Sequence, residues 1–132
     1  MSFPISSLTN NPTLQSLKLA MDASVTRHAA ISSNLANINT PNYQRLDVSA
    51  DFKTHFAEAL NQLQQGETPT ELPKPTLVQD KTPLATRFDG NNVNLDSEVV
   101  NLMNNQSYEE FTARVLTDNY TSLHAAIAGR VS

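Results

Sequence analysis

The chain carries two long stripes of apolar side chains, one toward each end, with a polar, proline-rich stretch between them. In the first stripe Leu14, Leu17, Met21, Ser24, His28, Ile31, Leu35 and Ile38 recur at intervals of three and four, and six of these eight are apolar. Val25 and Ala29 stand beside this line and widen it. The spacing predicts a helix over 11–39 that packs lengthwise against another helix. Asn11 suits the N-cap, and Pro12 stands where a helix has no use for the missing N–H. At the other end Asn34, Asn37 and Asn39 compete for backbone hydrogen bonds, and Pro41 biases the residue before it away from helix.

A shorter pattern follows. Phe52, Phe56, Leu60 and Leu63 share one helical face, which predicts a helix over 50–65 with Gly66 closing it. From 66 to 93 the character changes: Pro69, Pro73, Pro75 and Pro83 sit among Thr, Glu, Gln and Lys. That density excludes a helix or a central strand. The stretch reads as an extended arm, with a short edge strand at Leu77-Val78 or at Leu84 to Phe88. Asp89-Gly90-Asn91-Asn92 is a turn signal. It opens a helix over 94–129, capped by Asn94 or Asp96, with Asp96 and Glu98 placing negative charge at its favoured end.

The apolar line of this last helix runs Leu95, Val99, Leu102, Gln106, Glu109, Ala113, Leu116, Tyr120, Leu123, Ile127. Tyr108, Phe111 and Val115 form a second stripe off it, so the helix has more than one neighbour. Gly129 suits its end. The expected fold is therefore all-α, a single domain over 1–132. Two long terminal helices pack as a coiled-coil-like pair, joined by a short middle helix and a proline-rich extended arm with short β pieces.

Composition limits what such a chain can do alone. Aromatics make up 6% of 132 residues, with no tryptophan, so the core is thin and the chain is expected to lean on a partner. The net charge is −4, and nine Lys and Arg are scattered without a cluster, so no surface neutralises a run of phosphates. Nucleic acid is not an expected partner. Zero cysteine excludes disulfides and thiolate metal sites. Met1-Ser2-Phe3-Pro4-Ile5-Ser6-Ser7-Leu8 has neither the basic start nor the apolar core of a cleaved signal peptide. No apolar run approaches the ~20 residues of a membrane-spanning helix, so direct membrane insertion is not expected.

Candidate chemistry is sparse. Asp89 to Glu98 is rich in oxygen ligands, but counting from Asp89 glycine is second instead of sixth, and Val100 takes the twelfth place of the bidentate glutamate in a calcium loop. His28, His55 and His124 form no i, i+4 pair; His28 and His124 read as histidines of the helix–helix interface, a fortuitous metal site between them being the alternative. No Gly-x-Ser-x-Gly elbow or glycine-rich phosphate loop occurs among three scattered glycines. The expectation is no enzyme, no cofactor and no metal. Thr40-Pro41-Asn42-Tyr43 invites a type II turn, in which Asn42 takes the positive φ usually given to glycine and Tyr43 is projected toward a neighbour.

The run Ser33-Asn34-Leu35-Ala36-Asn37-Ile38-Asn39-Thr40-Pro41-Asn42-Tyr43 resembles the N-terminal signature of bacterial flagellar rod and hook proteins, S-N-x-A-N-x-x-T-P-G-Y, with Asn42 in place of glycine. Asp89 to Glu98 resembles the D-G-N-x-V-D-x-D-x-E segment of that family's proximal rod members, with Asn94 replacing an aspartate. Asn104 and Tyr108 are similar to their N-x-x-x-Y region.

The resemblance implies a structural subunit of the proximal rod, the drive shaft of the flagellar basal body in the periplasm. It implies terminal helices poorly ordered when free, helical assembly and torque transmission, and export by the flagellar type III apparatus without a cleaved signal. The implied partners are copies of itself, other rod proteins, the rod-to-membrane-ring junction protein and the export gate. Leu14, Leu17, Met21, Ile31 and Leu35 would pack on Leu116, Tyr120, Leu123 and Ile127, within or between subunits. Asn34, Asn37, Asn39, Asn42 and Tyr43 would fix the turn and touch the adjacent subunit. Phe52, Phe56 and Leu60 resemble an export-gate element; the other reading is the packing face of a small amphipathic helix. A soluble helical adaptor or secretion chaperone is the alternative function.

Overall fold

A computed structural model describes residues 11–81 and 86–129. Its elements in order are α1 (Pro12–Ala36), β1 (Leu46–Val48), α2 (Ala50–Gln64), β2 (Leu77–Gln79) and α3 (Leu95–Ala128). The molecule is mostly helical, and the long helices at its two ends pack together.

Each boundary has a local cause. Asn11 accepts from the Thr13 N–H at 2.9 Å, with Pro12 beginning the helix. Ser49 caps α2 through the Phe52 N–H, and Gly66, at φ +78°, turns the chain away after it. Of the two candidate caps of α3, Asn94 is the one used, accepting from the Ser97 N–H at 3.0 Å. The arm supplies β2 at Leu77–Gln79, paired antiparallel with β1 so that Asp47 faces Val78. The alternative strand at 84–88 lies partly outside the described residues, and 86–88 are not extended into one.

The two long helices run antiparallel. Asn34 Nδ2 donates to Glu98 at 3.3 Å, and Asn105 Nδ2 donates to the Ser24 carbonyl at 2.9 Å, so position on α1 falls as position on α3 rises. Continued at that register, the start of α1 comes level with the neighbourhood of Thr117. The last turns of α3 therefore extend beyond α1, and Tyr120 and Ile127 are exposed.

The packed faces differ in phase from the sequence pattern. On α3 the less exposed line is Glu98, Leu102, Asn105, Glu109, Thr112, Leu116, Asn119 and Leu123, spaced four and three apart, the first six of them alongside α1, and Leu95, Val99 and Gln106 are exposed. The line shares Leu102, Glu109, Leu116 and Leu123 with the expected one; its other members are polar, Glu98 and Asn105 bonding to α1 and Asn119 to its own helix. On α1 the stripe does not widen through Val25 and Ala29, both exposed. It widens on the opposite side through Leu19, Ala20 and Ala23, because α2 and β1 pack there: Leu19, Val48, Phe52 and Ala59 make the apolar core, with Ala23 and Phe56 against it.

Candidate functional site

The polar centre of the molecule lies where the end of α1, the two-strand ribbon and the start of α3 meet. Asn34 is fully buried in the last turns of α1. Its amide oxygen accepts from the Leu46 N–H at 2.8 Å and from the Tyr43 hydroxyl at 3.2 Å, and its amide nitrogen donates to the Leu46 carbonyl at 2.9 Å and to Glu98. One side chain thus ties the helix to β1 and to α3. An unmade bond in such a place leaves a buried polar group exposed to no water, at a cost of about 1–3 kcal/mol.

Arg45 and Glu98 form the ionic heart of the junction. Glu98 is fully buried, and Arg45 Nε donates to its Oε1. Arg45 Nη1 also donates to Asp47 at 3.1 Å and to Asp80 at 2.8 Å. Burial alone would make the guanidinium release its proton more easily. The hydrogen bond and charge of Glu98, with the charge of Asp47, outweigh burial and raise its pKa above the ordinary value. A buried carboxylate is tolerated because it is paired and bonded on both oxygens.

Asn91 and Asn92 complete the joint from the other strand of chain. Asn91 is fully buried and its amide nitrogen reaches the carbonyls of Asn37, Ile38 and Thr40 at 2.9, 3.2 and 2.9 Å. The end of a helix leaves carbonyls without partners, and here a remote asparagine covers them. Arg87 adds a bond to the Ile38 carbonyl. Asn92 accepts from the Arg45 N–H at 2.6 Å and donates to the Asp80 carbonyl at 3.0 Å. The two sequence motifs are therefore the two halves of one joint.

The turn itself is as the sequence suggests. Tyr43 N–H donates to Thr40 O at 3.3 Å, and Asn42 has φ +61°. Asn42 N–H also donates to the Asp89 carbonyl at 2.8 Å, which seats the turn against Gly90. Tyr43, half-buried, shares its hydroxyl with Ser33 at 2.9 Å as well as with Asn34, so its ring lies against its own chain. Asn37 donates to the Ser33 carbonyl at 2.9 Å, and Asn39 is exposed.

The other positions singled out from the sequence are spread over the molecule. Leu14 and Ile31 are buried; Leu17, Met21, Leu35, Leu116 and Leu123 are half-buried. Phe52 is buried with its ring stacked on Phe56 at 5.6 Å between centroids, and Leu60 is half-buried. His28 is half-buried with Nδ1 unpartnered, while His55 and His124 are exposed. Among the described residues no three His, Asp or Glu are grouped to hold a metal, and no helix is long and apolar enough to cross a membrane. Arg45, Asp80, Asn91 and Asn92 escaped sequence reasoning as a group, and Glu98 was legible only as a favourable charge near a helix start. No periodicity records their meeting, since Arg45 and Glu98 are 53 residues apart.

The buried polar side chains of the joint, Asn34, Arg45, Asn91, Asn92 and Glu98, hold backbone or one another. Residues 14–44 match the model of the family described as "Flagella basal body rod protein", so that segment is similar to the basal-body rod proteins. The matched segment includes the whole α1 seam and the turn through Tyr43. No curated protein matches the chain. The family is a structural component of the flagellar basal body, associated there with other basal-body components, and is not a family of enzymes.

Proposed function

We propose that the chain is a subunit of the proximal rod, assembling helically through its terminal helices and transmitting torque. The observation that carries this reading is the joint itself. The signature segment Asn34–Tyr43 is bonded to Asn91, Asn92 and Glu98, so the second, proximal-rod-like motif is what the first one docks on. A shaft needs both terminal helices held at a fixed register, and a buried ion pair with three flanking asparagines holds it. Exposed apolar residues on α3, among them Met103, Phe111, Tyr120 and Ile127, are surface for neighbouring subunits. Tyr120 and Ile127 then belong to contacts between subunits, together with the exposed Asn39 and Asn42.

In this reading the partners are copies of the chain, other rod proteins and the junction protein of the membrane ring. The chain reaches the periplasm through the type III apparatus. Phe52, Phe56 and Leu60 serve an export gate only in a chain whose α2 has opened, because Phe52 is packed in the core. The test is image reconstruction of basal bodies purified from cells with and without the chain. Density for the chain at the base of the rod, and no rod in its absence, is the expected result. A rod that assembles normally without it overturns the proposal, and a stable, well-folded dimer in isolation would favour a chaperone instead.

A further inference from the structure

A groove of about 380 Å³ between α1, α2 and α3 lies outside the joint. Its floor is apolar, formed by Val48, Phe52 and Phe56, and the half-exposed ring of Tyr108 makes one wall. Its rim is basic. Lys53 makes no ion pair among the described residues, and Arg27, ion-paired with Asp47 at 3.8 Å and donating from Nη2 to Asn101, has its Nε buried without a hydrogen-bond acceptor. A buried donor in that state favours any occupant that brings an acceptor.

The opposite chemistry stands on the outer side of α3. Phe111 is 66% exposed and does not line the groove of its own chain. Glu110 lies beside it without an ion-pair partner among the described residues, with Arg114 on the next turn of the same patch. An aromatic knob with an acidic neighbour complements an aromatic-floored groove with a basic rim.

We propose that the groove seats Phe111 of a second copy of this chain, with Glu110 of that copy meeting the Arg27–Lys53 rim. The inference rests on the reading of the chain as an assembling subunit. Knob and groove are different surfaces, so the contact is heterologous: each copy offers a knob to one neighbour and a groove to another.

Carbodiimide cross-linking of purified basal bodies, which joins an amine only to a carboxylate in contact with it, should yield a Lys53–Glu110 linked peptide absent from the isolated monomer. Lys53→Glu and Glu110→Lys should each abolish incorporation into basal bodies, and the double reversal should restore it. Phe111→Ala, at an exposed position, should leave the helical content of the isolated chain unchanged and lower incorporation. A cross-link from Lys53 to a different protein, or normal incorporation of either single reversal, overturns the assignment of the groove. Absence of the unaltered chain from basal bodies defeats the subunit reading itself, so the two failures are distinct.

Discussion

Asn42 and Gly90 act as one contact at the scale of single residues. Both have positive φ, and a Cβ on Gly90 would overlap the Asn42 amide. Gly90→Ala should therefore destabilise by about 2 kcal/mol or more, adding left-handed backbone strain to overlap. Asn42→Gly, which suits its own φ, should change stability by less than about 1 kcal/mol. The double variant should recover part of the Gly90→Ala loss, because the overlapping atoms are gone; denaturant titration of the four proteins measures the coupling. If the double loss equals the sum of the singles, the contact is not what constrains Gly90.

Glu98 is the other residue on which much depends. Glu98→Ala removes the main partner of Arg45 and an acceptor of Asn34, and should cost about 3 kcal/mol. Glu98→Gln keeps the shape and should cost less, as read from the same titrations. Arg45 is held above its ordinary pKa in the folded chain, so its contribution to stability is fully present at neutral pH and is lost only in strong alkali.

The long helices show how a pattern can be right about an element and incomplete about its face. Ile31 is 1% exposed and Leu116 only half-buried. Ile31→Ala should cost about 2–5 kcal/mol and Leu116→Ala clearly less, since Leu116 loses less burial. Thermal or denaturant melts that rank them the other way would contradict the packing described. Buried polar positions on α3, such as Asn105, fix register at the expense of stability. Asn105→Leu should raise the melting temperature of the isolated chain and let α1 and α3 pair in more than one register, visible as added oligomers on size exclusion.

For the molecule as a whole, stability should be uneven. The joint between residues 31–48 and 91–98 carries most of the buried bonds, whereas α3 beyond about Thr117 has no described element alongside it. Amide exchange of the isolated chain should be slowest at the joint and fast in the last turns of α3. Assembly should slow exchange in those last turns; unchanged protection there in purified basal bodies would count against their use in subunit contacts.

The sequence by itself determined the helices, the Asn11 cap, the positive φ of Asn42 and the family resemblance, and narrowed the α3 cap and the place of the strand to two candidates each. Each depends on residues a few positions apart, where helical spacing and turn preference act directly. Only the tertiary structure decided that Glu98 faces inward and Val99 outward, that Leu19 and not Val25 widens the α1 stripe, and that Asn91 closes the end of α1. Those outcomes depend on partners up to 81 residues away, as for Asn105 and Ser24. A buried bond between remote polar groups outweighs the preference of any one apolar side chain for the interior, because leaving such a group unpaired costs as much as burying a leucine gains.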